Sequence, residues 1–414
     1  MSSTATQPHR YVDADGHALE PPTGLQDFAP AGYKDRVFHL ETDAAGDEWV
    51  VADGQRAPSA RYTFLAVAGM SPEEKVAALA GESGHVYSEM SRIAWDPQSR
   101  LAAMDKDNID VSFLYPTVLL SIQSWPDVDY AVATCQSYND WLSAHCEESG
   151  KRLFGIAALP QQDIDATAKE LRRVADLPGI VGGFLRPNPA EGWKHFDHAV
   201  WDPVWRAAAD TNLTMGFHPY LDALLPGACQ GLHIGKLDRE TGLPGAESEE
   251  MPNTFPGQPS GLNNIAFAQG LANPVDMMTT VMFLTMGGVC ERFSDLRFVF
   301  LESNGGWLVP LLERLDHQAH EFSWDVPNLK MKPSEYFRRQ CWISFDPDES
   351  TLAFSARSQY CGADRIVWAS DFPHPDAKYP GITEELSEAL EGLTDDEQRD
   401  ITCNNALSLY NIDA

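Results

Sequence analysis

Residues 11–22 read YVDADGHALEPP and place four ionisable side chains, Asp13, Asp15, His17 and Glu20, close together in the sequence. Asp13, Asp15 and His17 alternate, and alternate residues of a β-strand point to the same face. Carboxylates and an imidazole on one face, just before a turn, either stay solvated or share a bound cation. A solvated edge with a hydrogen-bonded histidine is one interpretation, and half of a metal site is the other.

Similar side chains stand at the ends of four later apolar runs. They are His218 in GFHP, Glu302 in FLESN, Asp346 in SFDPDE, and Asp371, His374 and Asp376 in SDFPHPD. One buried histidine or carboxylate is easily satisfied by hydrogen bonds, whereas several unpaired buried charges in one place destabilise a fold strongly. Because a divalent cation removes that cost, these run ends predict a metal centre if the fold brings them together.

The elements that must position these residues alternate between short apolar runs and amphipathic stretches. Eight β-rich runs bounded by Gly, Pro or Asp predict strands at residues 11–15, 109–117, 153–160, 179–187, 213–219, 297–303, 340–347 and 365–373. Stretches with apolar three- and four-residue spacing predict helices between most of them. Helix starts are predicted at Ser71-Pro72, Asn273-Pro274 and Thr394.

Strand followed by helix, eight times over, predicts an α/β fold of the (β/α)8 TIM-barrel type. Active sites of such barrels lie at the carboxyl ends of the strands, where the candidate ligands stand. An open doubly wound sheet is the alternative, which the lack of a GxGxxG turn after the first run disfavours. We expect a single domain over residues 1–414, with insertions at 38–95 and 219–272 over the C-terminal face.

The bulk composition indicates a soluble globular protein and excludes some partners. The net charge of −31 argues against a nucleic-acid surface and against docking on anionic lipid. Seven scattered cysteines without a CxxC pair are typical of reduced cytoplasmic thiols, and the N-terminus resembles no signal peptide. No apolar stretch is long enough to span a membrane. A cytoplasmic protein is therefore expected. We also expect it to be a homo-oligomer.

The motifs VDADGH, ESNGGW and SDFPHPD, with YNDWL and GFHP between them, resemble the amidohydrolase-related metal-dependent TIM-barrel proteins, the group of the aminocarboxymuconate-semialdehyde decarboxylases. The resemblance covers most of the chain. It implies that Asp15, His17, His218 and Asp371 are metal ligands. The sequence departs from the family where Asp15-Gly16-His17 replaces a His-x-His pair and where Glu302 replaces a common histidine. These departures argue against zinc hydrolysis.

The replacements make the candidate donor set rich in oxygen. With Glu20 included, the proposed metal ligands are Asp15, His17, Glu20, His218, Glu302 and Asp371. Zinc prefers nitrogen and sulfur, whereas iron and manganese accept carboxylate-rich shells. Two histidines and four carboxylates also form the donor set of di-iron sites in helical bundles. Two iron ions are therefore the expected cofactor, with one zinc or manganese ion as the alternative.

The DADGH start and the long insertions further resemble a subgroup, the barrel-fold nonheme di-iron monooxygenases of platensimycin and platencin biosynthesis. That resemblance implies an oxidoreductase of antibiotic biosynthesis that hydroxylates a bulky diterpenoid coenzyme A thioester. Dioxygen and an external electron donor are then further partners, because the sequence shows no flavin or nicotinamide motif. Asp371, Glu302 and His374 are the expected catalytic residues.

Aromatic and basic residues near the strand ends predict the substrate contacts. We expect Arg186 to bind an anionic group and Tyr220, Trp307 and Phe372 to line an apolar pocket. Lys236 and Arg239, in the second insertion, are candidate phosphate contacts for a coenzyme A arm.

Two other functions stay open at this point. One is a mononuclear metal-dependent hydrolase or non-oxidative decarboxylase, in which Asp371 is ligand and base and His374 shuttles a proton. The other is a binding barrel that has lost its chemistry. Iron content and oxygen dependence separate the monooxygenase from the first of these, and loss of metal binding would identify the second.

Overall fold

A computed structural model describes residues 10–412 except residues 91, 188, 190–193, 221–265 and 267. Its strands are β1 Tyr11–Ala18, β2 His39–Thr42, β3 Glu48–Ala52, β4 Gln55–Pro58, β5 Ile109–Pro116, β6 Leu153–Ala158, β7 Ile180–Leu185, β8 Thr214–Phe217, β9 Phe298–Phe300, β10 Cys341–Phe345 and β11 Ile366–Trp368. Each of the eight predicted barrel strands is found, with ends within a few residues of the prediction.

Helices connect most of the barrel strands. In the described ranges they are α1 Pro72–Leu79, α2 Pro97–Lys106, α3 Val128–Glu147, α4 Ile164–Val174, α5 Asp202–Thr211, α6 Asn273–Thr285, α7 Val289–Arg292, α8 Leu308–Glu321, α9 Pro333–Gln340, α10 Leu352–Ala356, α11 Ile382–Ala389, α12 Asp395–Arg399 and α13 Asn405–Leu409. The predicted helix starts at Ser71 and Thr394 are confirmed, each with a capping box, and α6 begins at the predicted Asn273.

The eight barrel strands run parallel in the order β1-β5-β6-β7-β8-β9-β10-β11. The TIM-barrel prediction is thereby confirmed. Between β1 and the end of β11 the barrel is closed by backbone hydrogen bonds beyond the regular strand ladder, from Asp371 N to Asp15 O at 2.9 Å and from His17 N to Phe372 O at 2.8 Å. The core consists of apolar side chains such as Val12, Phe113 and Ile343 that are wholly buried.

The first insertion contains an antiparallel sheet of β2, β3 and β4. Most of the second insertion, with Lys236 and Arg239, lies outside the described residues. The extent of a single domain over 1–414 therefore stays a prediction. Among the described helices, none combines the length and the apolar composition that crossing a bilayer requires.

Candidate metal centre

Strand β1 presents its ionisable residues on two different faces. The pairing with β5 shifts by one residue between Asp13 and Gly16, which is a β-bulge. Asp13 therefore faces Ser112 and the guanidinium of Arg100, whereas Asp15 and His17 face the other strand ends. The expectation that Asp13, Asp15 and His17 share one face is wrong, because the bulge interrupts the alternation.

Two histidines are held in the tautomer that suits a metal ligand. The Nδ1 atom of His17 lies 2.8 Å from the carbonyl oxygen of Pro116, and Nδ1 of His218 lies 2.8 Å from that of Pro219. Because a carbonyl oxygen only accepts, each Nδ1 carries the proton and each Nε2 exposes its lone pair. Both side chains are wholly buried, so each Nε2 is directed into the protein interior.

The ends of four strands converge on these Nε2 atoms. Nε2 of His17 lies 3.6 Å from Asp15 Oδ1 and 3.2 Å from Asp371 Oδ1. Nε2 of His218 lies 3.7 Å from Asp15 Oδ2 and 3.3 Å from Glu302 Oε2. Asp15, His17, His218, Glu302 and Asp371 are therefore brought together as predicted, at the carboxyl ends of β1, β8, β9 and β11.

The donor atoms at the centre of this group lack hydrogen-bond partners among the described residues. They are both carboxylate oxygens of Asp15, Nε2 of His17 and of His218, and Oδ2 of Asp371. Buried polar atoms in proteins are nearly always satisfied, so a converging set of lone pairs indicates a bound cation. The residues present thus fit a metal ion by number, by type and by direction.

Burial and mutual charge perturb the ionisation of this site strongly. Burial, then the charges of Asp371, Asp13 and Asp346, raises the pKa of Asp15 well above its ordinary value. Burial, then Asp371 and two further acids, likewise raises the pKa of Glu302. Burial lowers the pKa values of His17 and His218, so both imidazoles are neutral near pH 7. Neutral imidazoles beside carboxyl groups that resist ionisation form a site that a divalent cation stabilises.

His374 is bonded to Asp371 at the edge of the cluster. Its Nδ1 lies 2.7 Å from Asp371 Oδ1, and its ring lies 4.0 Å from that of His17 between centroids. Burial alone would lower the pKa of His374, but the charge and the hydrogen bond of Asp371 raise it above its ordinary value. His374 is thus the group of the site that is suited to carry a proton.

Two of the candidate metal ligands adopt left-handed backbone conformations. Glu302 has φ of 44° and Asp371 has φ of 51°. Non-glycine residues in this region cost about 1–2 kcal/mol each, and such conformations cluster at functional sites. Gln269, in the π-helical turn Ala268–Ala272, donates to Glu302 Oε1 at 3.0 Å and to Asp376 Oδ2 at 3.1 Å. The C-terminal end of the second insertion therefore contacts the acidic residues at the edge of the site.

Glu20 is placed apart from the donor cluster and has a different partner set. Its carboxylate accepts from the backbone N–H groups of Thr117, Val118 and Leu119 at 3.3, 2.8 and 3.0 Å. These bonds occupy its oxygens and fix the turn after β5. The prediction that Glu20 is a metal ligand is corrected for that reason.

The predicted substrate contacts divide into two groups. Arg186, just beyond β7, and Tyr220, just beyond His218, are almost buried at the carboxyl end of the barrel, and Trp307 is half-buried in the segment between Glu302 and α8. Phe372 instead packs beneath the guanidinium of Arg100, 4.4 Å from the ring centroid, and against Tyr379. These contacts give Phe372 a packing role, and its role as a substrate contact stays a prediction.

Sequence patterns miss three residues that shape this centre. Gln269 lies in an insertion without periodicity, and Arg100 lies within an ordinary helical stretch of α2. Ser370, which precedes Asp371, bonds Asp13 through both its backbone and its hydroxyl. For Arg100 and Gln269 the sequence gives no signal. Ser370 could be suspected only from its position next to a proposed ligand.

Comparison with known proteins extends these observations. A family profile described as amidohydrolase matches residues 12–412. Among curated proteins, the chain is 23% identical to a 2-amino-3-carboxymuconate-6-semialdehyde decarboxylase of Dictyostelium discoideum, over 80% of each chain. It is 24% identical to a gamma-resorcylate decarboxylase of Rhodococcus jostii, over 80% of this chain and 92% of that protein.

Solved structures share the fold. An amidohydrolase from Mycobacterium avium subsp. paratuberculosis superposes with a TM-score of 0.70 at 20% identity, over 98% of this chain and 100% of that one. A dihydroxybenzoic acid decarboxylase from Polaromonas sp., whose structure contains manganese and the inhibitor 2-nitroresorcinol, superposes with a TM-score of 0.61 at 17% identity, over 97% of each chain.

These relatives overturn the monooxygenase interpretation. The prediction of a di-iron monooxygenase that hydroxylates a diterpenoid is wrong, because the curated relatives of the whole barrel are decarboxylases. The resemblance to the platensimycin and platencin enzymes is not supported, and the relatives imply neither dioxygen nor an electron donor. Two iron ions are not supported either, whereas the alternative of one zinc or manganese ion agrees with the manganese of the Polaromonas enzyme. An oxygen-rich donor set is compatible with several metals, so it could not identify the reaction by itself.

Proposed function

This chain belongs to the amidohydrolase family, and we propose that it is a metal-dependent, non-oxidative decarboxylase of a small aromatic or unsaturated carboxylic acid. The observation that carries the proposal is a set of buried donor atoms in two adjoining clusters that share His17. One cluster is Asp15, His17 and His218, and the other is His17, Asp371 and His374. The names of the curated relatives, which cover most of this chain, support the reaction class.

The proposed cofactor is one divalent cation, manganese by preference and zinc as the alternative. Asp15, His17, His218 and Asp371 would hold it, with Glu302 as a further oxygen donor 3.3 Å from His218 Nε2. Manganese accepts mixed imidazole and carboxylate shells with more than four ligands, which this set supplies. When bound, the cation would act as a Lewis acid on the substrate oxygens and stabilise the charge that develops as the carboxylate leaves.

His374 is the proposed proton donor of the reaction. Loss of carbon dioxide breaks the bond between the carboxyl carbon and the substrate carbon that bears it. The electron pair of that bond stays on the substrate carbon, which must then take up a proton. In its charged form His374 donates from Nδ1 to Asp371 Oδ1, which leaves the proton on Nε2 without a partner among the described residues. That proton would move to the carbon, and Asp371 would orient the ring throughout.

Residues at the carboxyl end of the barrel are the proposed substrate contacts. Arg186 would bind an anionic oxygen of the substrate, and Tyr220 and Trp307 would pack against its ring. The low exposure of Arg186, 8%, favours such a role, because a charge–charge hydrogen bond is stronger where water is excluded. Small-molecule substrates of this kind also agree with the carboxylate-bearing compounds in the names of the relatives.

The proposal is tested by measuring carbon dioxide release from purified protein that has been stripped of metal and reloaded with manganese. The panel would contain gamma-resorcylate and other hydroxylated benzoates and unsaturated dicarboxylates, each labelled with ¹³C in the carboxyl group. We expect labelled carbon dioxide in equal amount to the decarboxylated product, at the same rate with and without oxygen. Asp15→Asn is the metal-site control and should release none.

The result that overturns the proposal is equally specific. If the manganese-loaded protein releases no labelled carbon dioxide from any acid of the panel but hydrolyses esters or amides, the chain is a hydrolase. In that case the metal centre would stand and the decarboxylase assignment would fail.

A further inference from the structure

Asp13 lies directly behind the donor cluster and is held on three sides. Its side chain is 1% exposed. Oδ2 accepts from the hydroxyl groups of Ser112 and Ser370, each at 2.7 Å, and Oδ1 accepts from the backbone N–H of Ser370 at 3.0 Å. A single carboxylate therefore ties β1 to β5 on one side and to the end of β11 on the other.

The residues that Asp13 connects are the immediate neighbours of two proposed ligands. Ser370 precedes Asp371, and Asp13 stands two residues before Asp15. The hydrogen bond from Asp371 N to Asp15 O also joins β1 to the end of β11. The Asp13–Ser370 contact adds a further hydrogen bond to this join, in which a side-chain carboxylate takes the place of a backbone carbonyl. Since Asp371 has φ of 51°, its backbone conformation must be imposed by such neighbours.

Arg100, on helix α2, contacts the same group of residues from outside the barrel. Its Nη1 donates to the carbonyl oxygen of His17 at 3.1 Å, and its guanidinium lies 4.4 Å from the ring centroid of Phe372. The side chain is 4% exposed, and Asp13 supplies the opposing charge that a buried guanidinium requires. Arg100 thus contacts both β1 and the segment after β11, the two parts of the chain that Asp13 also connects.

Gly16 is the residue that makes room for these groups. A Cβ atom at Gly16 would lie 2.6 Å from Ser112 Oγ, 2.7 Å from Arg100 Nη2 and 2.7 Å from Asp13 Oδ2. Distances below 3.0 Å are not tolerated, so any side chain here would displace at least one member of the group. Asp13, Arg100 and Gly16 are consequently one packed unit behind Asp15 and His17.

We propose that Asp13 is a positioning residue of the metal centre, which fixes the separation of Asp15 and Asp371 by bridging β1 to Ser370. The inference rests on the proposed metal centre but not on the reaction or its substrate. It predicts that loss of the bridge loosens the donor atoms of two strands at once. Outer partners that orient metal ligands are worth about 10–100-fold in metal affinity.

The test compares the manganese affinity of Asp13→Asn with that of Asp107→Asn by titration calorimetry on metal-free protein. Asp107 is a matched control because it is also buried, 4% exposed, and accepts from the backbone of Gly381 at 3.0 Å without contacting either ligand strand end. Both variants should lower the melting temperature. Only Asp13→Asn should weaken manganese binding, by about 10-fold or more.

Ser370→Ala keeps the experiment decisive if Asp13→Asn does not fold. It removes one of the four hydrogen bonds that the Asp13 carboxylate accepts and should weaken manganese binding by a smaller factor, with a change in the manganese electron paramagnetic resonance spectrum. Wild-type affinity and an unchanged spectrum in both folded variants would overturn the positioning role. Failure of the wild-type protein itself to bind manganese would overturn the metal centre, and the two failures are thereby distinguished.

Discussion

His374 and Asp371 form a directed pair in which Nδ1 of the imidazole lies 2.7 Å from Oδ1 of the carboxylate. The opposite ring nitrogen, Nε2, is buried and has no partner among the described residues. This geometry suggests different roles for two residues that are three positions apart. In the proposed reaction Asp371 would orient the ring and help to hold the metal ion, and His374 would hold the proton that is transferred.

Replacing His374 by Gln should lower kcat by about 10²–10⁴-fold and leave the metal content unchanged. The pKa of His374 is raised by Asp371, and the acid form is the one that donates. Wild-type activity should therefore fall as the pH rises through this pKa, and His374→Gln should lack that limb of the profile. Steady-state kinetics over a pH series, with metal analysis of each sample, measure both effects. Loss of the metal from the variant would show that His374 is a ligand and not a proton donor.

Replacing His218 by Ala should reduce the bound manganese to well below one equivalent without unfolding the barrel. His218 contributes a buried Nε2 that points at Asp15 and Glu302, while its backbone N–H keeps its bond to Leu185 O at 3.1 Å. Elemental analysis and circular dichroism of the purified variant check the two parts of this prediction. His195→Ala, in which an exposed ring stacked on Phe283 is removed, is the control and should retain the metal. Full metal content in His218→Ala would exclude His218 from the centre.

Binding of manganese to the metal-free protein near pH 7 should release protons. The pKa values of Asp15 and Glu302 are raised well above their ordinary values, whereas those of His17 and His218 are lowered. His17 and His218 contribute no protons because these imidazoles are already neutral, so the carboxyl groups of Asp15 and Glu302 are the expected source. Affinity should rise with pH, and calorimetry in buffers of different ionisation enthalpy counts the protons. Binding without proton release would mean that both carboxyl groups are ionised in the metal-free protein.

The barrel and the convergence of its ligands could be predicted from the sequence because both depend on local patterns. Apolar runs bounded by Gly, Pro and Asp mark the strands, and the carboxyl ends of parallel strands necessarily meet on one face. Asp15, His17, His218, Glu302 and Asp371 needed only this rule to be brought together.

The roles of Asp13 and Glu20 could not be predicted because they depend on register and on distant backbone. A bulge of one residue turns Asp13 away from Asp15, and no sequence pattern places a bulge between Asp13 and Gly16. Glu20 binds three N–H groups that lie about a hundred positions further along the chain. The monooxygenase prediction is wrong for a related reason, since the same metal donors serve different chemistries and substrate contacts decide between them.

Glu20 makes a separate contribution to stability that depends on pH. Burial raises its pKa from 4.5 to about 7 against the opposing effect of three backbone N–H groups. The folded state therefore retains a proton that the unfolded state loses between these two values, and the free energy of unfolding falls as the pH rises through this window. A shift of this size corresponds to about 3 kcal/mol. Urea unfolding of the wild type and of Glu20→Gln at intervals from pH 4.5 to 7.5 measures the effect.

Because Gln does not ionise, the difference between wild type and Glu20→Gln isolates the carboxyl group from the other acids of the site. We expect the advantage of the wild type over the variant to shrink steadily as the pH rises. Glu73→Gln, on the exposed first turn of α1, is the control and should follow the wild type at each pH. A constant difference between wild type and Glu20→Gln across the range would mean that the three N–H groups outweigh burial and keep Glu20 ionised in the folded protein.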